Sequence, residues 1–303
     1  MTKFLVAGLI NIETTLQIEG FPLQYNPVNF PFFGVNSSVS GVGYNLAKAL
    51  TGLGNEVRFL SLIGEDSAGD LARAALARDH ISPAEVLTAM PLTAQSVILY
   101  DREGHRQIHT DLKDIQERSY PPENFQAALT ECDAALLCNI NFSRPFLQQA
   151  REAGKPVATD VHTIASLEDE YNRDYMASAH VLFMSDERLP APAEDFARQV
   201  IERYNTAVVV IGMGNRGAVL AVRDAGTVER IPTVFTRKVV NTIGAGDALF
   251  SAFCHSYFAG DDPQAAIRKA MVFASYKIGT RSASEGFLDA ASLEALYRQI
   301  YAG

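Results

Sequence analysis

Cysteine is scarce in this sequence, and the few cysteines present argue against two kinds of site. Cys132, Cys138 and Cys254 are odd in number and show no paired metal-ligand spacing. The sequence therefore predicts neither a disulfide framework nor a zinc site, because both need cysteines at paired spacings. This cysteine usage is typical of the reduced cytosol, so we expect a cytoplasmic protein.

Positive charge and long apolar runs are also lacking. The chain carries 26 Lys and Arg against 35 Asp and Glu, a formal net charge of -9, and it has no basic run. Binding to a phosphate backbone needs clustered basic residues, so we expect small metabolites as partners and no nucleic acid. No apolar run reaches the roughly eighteen residues of a membrane-spanning helix, so we expect no membrane partner.

Short apolar runs alternate with helical patterns along most of the 303 residues. The runs read as buried parallel strands, and between them apolar residues recur every three or four positions, as in helices that cover a sheet. The predicted strands are 4–10, 58–63, 134–140, 156–161, 181–184 and 207–211, and the predicted helices are 43–53, 68–78, 144–153 and 193–204. Three further helical patterns, at 247–258, 263–278 and 290–301, form a helical flank. This alternation predicts a layered α/β fold with a mainly parallel sheet.

Two segments interrupt the alternation. Residues 14–40 combine aromatic side chains with prolines, and residues 95–111 read as a hairpin with a turn at 101–104. Together they predict a small accessory sheet. The aromatic stretch from Phe21 to Phe33 reads as packing within that sheet or as a stacking surface for a flat acceptor, and the second reading keeps a nucleoside substrate open.

The segment Asn241-Thr242-Ile243-Gly244-Ala245-Gly246-Asp247 leads directly into a predicted helix. Its small residues leave backbone N–H groups accessible at the positive end of the helix dipole, which suits phosphate oxygens. Asp247 could simply cap the helix. A carboxylate repels phosphate, however, so the more informative hypothesis is that Asp247 is a catalytic base beside the anion site. A base and an anion site are two requirements of phosphoryl transfer.

This segment resembles the C-terminal signature of the PfkB, or ribokinase-like, carbohydrate kinase family, Asp-Thr-x-Gly-Ala-Gly-Asp, and differs from it only at Asn241. The N-terminal signature of the family resembles Gly41-Val42-Gly43-Tyr44-Asn45-Leu46-Ala47, which is followed by Gly54 and Gly64. The resemblance implies one three-layer ribokinase-like kinase domain over residues 1–303. It also implies a small β-sheet lid built from approximately residues 12–40 and 95–111, the use of ATP and Mg²⁺, and a homodimer formed through the lid.

The resemblance also implies roles for individual residues. Asp247 corresponds to the catalytic base, beside an anion hole of Gly244, Ala245 and Gly246. The substrate contacts implied are Asn11, Glu13, Gly41, Asn45 and Asn141, and the nucleotide contacts are Ser185, Gly212, Gly214, Gly217 and Thr242.

The chain departs from the family pattern at two sites that hold cations. Ser185 and Arg188 stand where the family has Asn-x-x-Glu, so the neighbouring Glu187 becomes the candidate magnesium ligand. Asn241 replaces an Asp that many relatives use in a monovalent-cation site, and an amide oxygen attracts a cation less strongly than a carboxylate does. The sequence therefore leaves the dependence on a monovalent cation open.

Three other groups of residues offer alternative interpretations. Gly212-Met213-Gly214-Asn215-Arg216-Gly217 matches the dinucleotide fingerprint of a nicotinamide dehydrogenase, but residues 218–222 read as a strand where that fingerprint requires a helix. These glycines therefore predict a hairpin. His105 and His109 share a strand face without a third metal ligand. Asp160 and His162 end a strand at the edge where α/β folds bind ligands, and their role is left open.

The sequence thus favours an ATP-dependent kinase that transfers the γ-phosphoryl group to a hydroxyl of a sugar or sugar-like metabolite. A nucleoside kinase of the same fold and a non-catalytic sugar sensor on that fold are the alternatives. A nicotinamide-dependent dehydrogenase is the more remote one.

Overall fold

A computed structural model describes residues 1–301 of the chain. The strands are β1 (Lys3–Ala7), β2 (Asn11–Gln17), β3 (Val35–Ser40), β4 (Glu56–Gly64), β5 (Val86–Met90), β6 (Gln95–Tyr100), β7 (Arg106–Asp111), β8 (Ala134–Leu137), β9 (Val157–Thr163), β10 (Val181–Ser185), β11 (Val208–Gly212), β12 (Ala218–Val222) and β13 (Thr227–Ile231). The α-helices are α1 (Val42–Gly52), α2 (Ser67–Arg78), α3 (Pro122–Thr130), α4 (Arg144–Glu152), α5 (Arg173–Ser178), α6 (Ala193–Tyr204), α7 (Ala245–Phe258), α8 (Pro263–Lys277) and α9 (Ala290–Tyr301).

The central sheet has nine strands in the order β13-β12-β11-β10-β9-β8-β1-β4-β5. The strands from β11 to β5 are parallel, and β12 and β13 run antiparallel at one edge. Alternate strand residues enter two apolar cores, with Phe4 and Phe59 on one face and Leu5 and Leu60 on the other. A parallel sheet covered on both faces explains the continuous apolar runs in the sequence. The predicted α/β class with a mainly parallel sheet is confirmed.

The small accessory sheet is present, with strand order β3-β2-β6-β7. Its hairpin β6–β7 is antiparallel, as the sequence predicted, while β2 pairs parallel to β6. The predicted first strand, 4–10, ends at Ala7, and β2 begins at Asn11. β2 and β3 fall within the predicted accessory-sheet segment of approximately residues 12–40, and Asn11 and Glu13 of β2 are buried.

The C-terminal helical flank and the glycine hairpin are also as predicted. α7 begins at Ala245 because Gly244, at φ +76°, serves as its N-cap. β11 and β12 pair antiparallel across Gly212–Gly217, which excludes the helix that a dinucleotide fingerprint would open. Among the helices of residues 1–301, none is both long and apolar enough to cross a bilayer.

Candidate active site

The N-terminus of α7 is an uncapped helix end. A Cβ atom on Gly244 would lie 2.7 Å from the carbonyl oxygen of Ala283, so the turn requires glycine both for its positive φ and for this close approach. No side chain caps the helix, and within residues 1–301 the N–H groups of Gly246 and Asp247 have no hydrogen-bond acceptor. A Cβ on Gly246 would meet nothing within 4 Å, so the space in front of these donors is open. The arrangement suits an anion.

Asp247 lies in the first turn of α7 and is not its cap. Asn45 of α1 donates from Nδ2 to Oδ2 of Asp247 over 2.7 Å. Burial raises the pKa of Asp247 above its ordinary value, and the charge of Asp160 raises it further, while the Asn45 hydrogen bond, His162 and Lys277 act in the opposite direction. A carboxylate with a raised pKa is a better proton acceptor near neutral pH than an exposed one.

Close backbone packing fixes the position of Asn45. Gly41 precedes α1 at φ +104°, where a Cβ would lie 2.5 Å from the carbonyl oxygen of Leu9. A Cβ on Gly43 would lie 2.5 Å from the carbonyl carbon of Gly8. The start of α1 therefore sits directly against the end of β1, and the glycines of the N-terminal signature make that approach possible.

Glu13 and Asn11 lie beside this pair on β2, and each has an unused acceptor. Ser40 donates to Oε2 of Glu13 over 3.1 Å, and Asn11 donates to Ser96 over 3.1 Å. Oδ1 of Asn11 and Oε1 of Glu13 are buried and have no hydrogen-bond partner in the described chain. Burial raises the pKa of Glu13. Buried acceptors without partners are costly, so a ligand that donates hydroxyl hydrogens fits here.

Asp160 and His162 also belong to this site. Both lie in β9, where His162 donates its backbone N–H to Oδ1 of Asp160 over 2.7 Å, and each influences the pKa of Asp247. Lys277, at the end of α8, is the residue that sequence analysis missed entirely. Its side chain is fully buried and its charge acts on both Asp247 and Glu13. A lysine in the last turn of an amphipathic helix ordinarily reads as a solvated residue.

Among the candidate nucleotide residues, Ser185 and Gly212 end the neighbouring strands β10 and β11, whereas Gly214 and Gly217 lie in the hairpin after β11 and Thr242 lies in the loop before α7. Ser185 ends β10, and the backbone N–H of Asp186 donates to the carbonyl of Gly212 over 3.0 Å. Gly217 has a steric role, since a Cβ there would lie 2.0 Å from the carbonyl oxygen of Ile231, whereas Gly214 faces open space. The carbonyl of Thr242 accepts from Ala245 over 3.1 Å.

Two predicted residues are engaged elsewhere. Oε1 of Glu187 accepts from Arg106 of the small sheet over 3.0 Å, so its carboxylate is not free for a metal ion in this arrangement. Asn141 uses its backbone N–H and its side-chain amide to donate to Gln116 over 3.0 Å each. Neither residue contacts the Asp247–Asn45 pair.

The fold and this site define a ribokinase-like kinase scaffold, and comparison with known proteins gives the family. The model of the pfkB family carbohydrate kinases matches residues 1–290. The chain belongs to this family and is a phosphotransferase of the kind that uses an alcohol group as acceptor.

Individual relatives cover nearly the whole chain. It is 26% identical over 294 residues to the acarbose 7(IV)-phosphotransferase of Actinoplanes sp., covering 96% of this chain and 97% of that protein. The solved structure of a microbiome-derived acarbose kinase is similar, with a TM-score of 0.86, 25% identity and 98% coverage of both chains. A putative ribokinase from Agrobacterium tumefaciens has a TM-score of 0.86 at 22% identity, covering 100% of this chain and 99% of that one, which supports the fold.

Proposed function

We propose that this protein transfers the γ-phosphoryl group of ATP to a hydroxyl of a sugar or sugar-like metabolite, with Asp247 as the general base. One observation carries the proposal. The half-buried carboxylate of Asp247 is held by Asn45 beside the N-terminus of α7, which has no side-chain cap. A base can accept the proton of the acceptor hydroxyl, and an anion site next to it can hold the transferred phosphoryl group. The two together therefore suit a single phosphoryl-transfer reaction.

ATP enters as a substrate and supplies the phosphoryl group. Within the predicted anion hole of Gly244, Ala245 and Gly246, the N–H of Ala245 donates to the carbonyl of Thr242, so the N–H groups of Gly246 and Asp247 would stabilise the charge on that group. Asp247 would accept the proton of the acceptor hydroxyl. The small sheet acts as a lid, and closing it over the site excludes water, which would otherwise compete as the phosphoryl acceptor.

Three observations favour a sugar as the acceptor. The unpartnered oxygens of Asn11 and Glu13 would accept hydrogen bonds from neighbouring hydroxyl groups. The similar proteins named for acarbose act on a carbohydrate. Tyr25 and Phe33 are 93% and 92% exposed, and Phe30 stacks on Phe32 at the surface, so the aromatic stretch offers no stacking floor for a nucleobase within the site.

Several narrower expectations stay predictions. Ser185, Thr242 and the hairpin glycines are candidate nucleotide contacts, and Asn141 is a candidate substrate contact. Magnesium would accompany the nucleotide, and its candidate ligand Glu187 is paired with Arg106 in this structure. A single domain over 1–303, a cytoplasmic location and a homodimer through the lid also remain predictions. Such a dimer would use the exposed aromatic side chains of the lid.

The decisive experiment is a screen for ATP-dependent product formation with sugars, acarbose, sugar phosphates and nucleosides, followed by Asp247→Asn on the acceptor found. We expect kcat to fall by about 10²–10⁴-fold while ATP binding, measured by calorimetry, is retained. Asp262→Asn is the matched control because Asp262 caps α8 through the N–H of Ala265, which asparagine also does.

Retention of wild-type turnover by Asp247→Asn would remove Asp247 as the base. If no acceptor in the panel is phosphorylated although a sugar binds, the sensor alternative is favoured. Phosphorylation of nucleosides in preference to sugars would favour the nucleoside kinase.

A further inference from the structure

The loop that leads into α7 is held by nitrogen donors from two buried side chains. Lys277 is fully buried and donates from Nζ to the carbonyl of Ile243, the residue before the N-cap Gly244. Asn241 is also buried, accepts from the N–H of Ile243 over 3.1 Å, and donates from Nδ2 to the carbonyl of Arg281 over 2.8 Å. Buried backbone carbonyls need a hydrogen-bond donor or a cation. The side chains of Lys277 and Asn241 supply the donors for the carbonyls of Ile243 and Arg281.

The ammonium of Lys277 is surrounded by charged groups that act on its pKa. Asp247, Glu13 and Glu285 are the acidic groups that act on it, and Arg237 is the basic one. Glu13 is buried and Asp247 is half-buried, and the positive charge of Lys277 favours the ionised form of each. Burial of an ammonium is costly unless it is hydrogen-bonded and offsets opposite charge, and Lys277 meets both conditions.

We propose that Lys277 is a positioning residue that acts as an internal cation, holding the 241–246 loop and its anion hole in place so that the protein needs no external monovalent cation. The proposal rests on the proposed function. Removal of the amino group would free the Ile243 carbonyl and let the adjoining peptide rotate, which would move Gly244 and the amides that follow it, and loss of its charge alone would weaken the same hydrogen bond. A displacement of about 1 Å at a reacting centre costs roughly 10²-fold in rate.

The pH dependence of this arrangement follows from burial, which lowers the pKa of Lys277 to about 8. Its ammonium is therefore present below about pH 8 and is lost as the pH rises further. We expect kcat to decline on the alkaline side of that value. Lys277→Arg retains its charge at high pH, so any activity it keeps should lack this alkaline decline.

The test measures wild type, Lys277→Met and Lys277→Arg in two buffers. In one buffer the only monovalent cation is tetramethylammonium, and in the other it is potassium. Wild-type kcat should differ by less than about twofold between these buffers. Lys277→Met should lose about 10–100-fold in kcat, with little change in KM for ATP, and should regain part of it in potassium. Lys269→Met is the control, because Lys269 lies on the same helix but pairs with Asp261 and Glu294 at the surface.

A second measurement needs no turnover and therefore separates this proposal from the proposed function. The melting temperature of wild type should not respond to exchange of tetramethylammonium for potassium, whereas that of Lys277→Met should rise by about 2 °C or more. A wild type that requires potassium, or a folded Lys277→Met with unchanged kcat and pH profile, would overturn the role of Lys277. Absence of kinase activity together with the expected thermal shifts would count against the proposed function alone.

Discussion

At the scale of single residues, the hydrogen bond from Asn45 to Asp247 should set the acid limit of activity. Burial raises the pKa of Asp247, and the base must be ionised, so kcat/KM should fall as the pH falls through that raised value. The Asn45 donor favours the ionised form and works against the rise. Asn45→Ala should therefore move the acid limb to higher pH.

The measurement is the pH profile of kcat/KM for wild type and variant. Asn55→Ala is the control because Asn55 is an equally buried amide beyond the C-terminal end of α1, where it donates to Leu50 over 2.9 Å. Its profile should keep the wild-type acid limb. An Asn45→Ala profile that overlies wild type would mean that Asn45 does not govern ionisation of the base.

At the scale of elements, the contact between α1 and β1 determines where Asn45 lies, and two glycines of α1 make a matched pair. Gly43→Ala would place a Cβ 2.5 Å from backbone of Gly8, which cannot move without shifting β1, whereas a Cβ on Gly52 meets nothing within 4 Å. We expect Gly43→Ala to destabilise the fold by about 1–3 kcal/mol. Gly52→Ala should be neutral or stabilising by up to about 1 kcal/mol, because alanine favours the helix.

Urea unfolding of the two variants provides the comparison. Equal free energies of unfolding for Gly43→Ala and Gly52→Ala would show that the start of α1 can move away from β1. That result would also weaken the argument that this packing positions Asn45.

At the scale of the whole molecule, the small sheet packs against the loop before α7 and against residues 282–283. Ile98 of β6 packs with Ile243 and Ala283, and the hydroxyls of Ser38 and Ser282 lie 2.8 Å apart. Arg106 adds an ion pair with Glu187 beyond β10. The pair is partly exposed, so it contributes at most about 1 kcal/mol to stability, but it joins the small sheet to the end of a central strand.

We expect Arg106→Gln and Glu187→Gln to change the melting temperature by only a few degrees and to raise ATP hydrolysis relative to transfer, because water enters a looser site. The two variants should behave alike, and the double variant should add little to either. Arg230→Gln, which breaks the ion pair between the edge strand β13 and Glu194 of α6, is the control. If Glu187→Gln alone raised the magnesium requirement, Glu187 would be a metal ligand instead.

Much of the fold could be predicted from local patterns. The buried strands, their covering helices, the hairpins 95–111 and 212–217 and the start of α7 each depend on periodicity or turn chemistry within a few neighbouring residues. The start of α7 also predicted the anion site, because small residues and a free helix N-terminus are both local properties. The bounds of the strands inside the segment 12–40 were not predicted, because the polar residues Asn11 and Glu13 are buried only in the folded chain.

The sequence by itself determined the α/β class, the family and the helix end that bears Asp247. Tertiary structure alone decided what surrounds that carboxylate. Asn45 and Asp247 are 202 positions apart, and Glu187 meets Arg106 from 81 positions away. Burial of Lys277 likewise depends on how α8 meets the loop before α7. Such contacts, and the shifts in pKa that follow from them, arise from desolvation and charge brought together by the folded chain, which no local pattern of residues encodes.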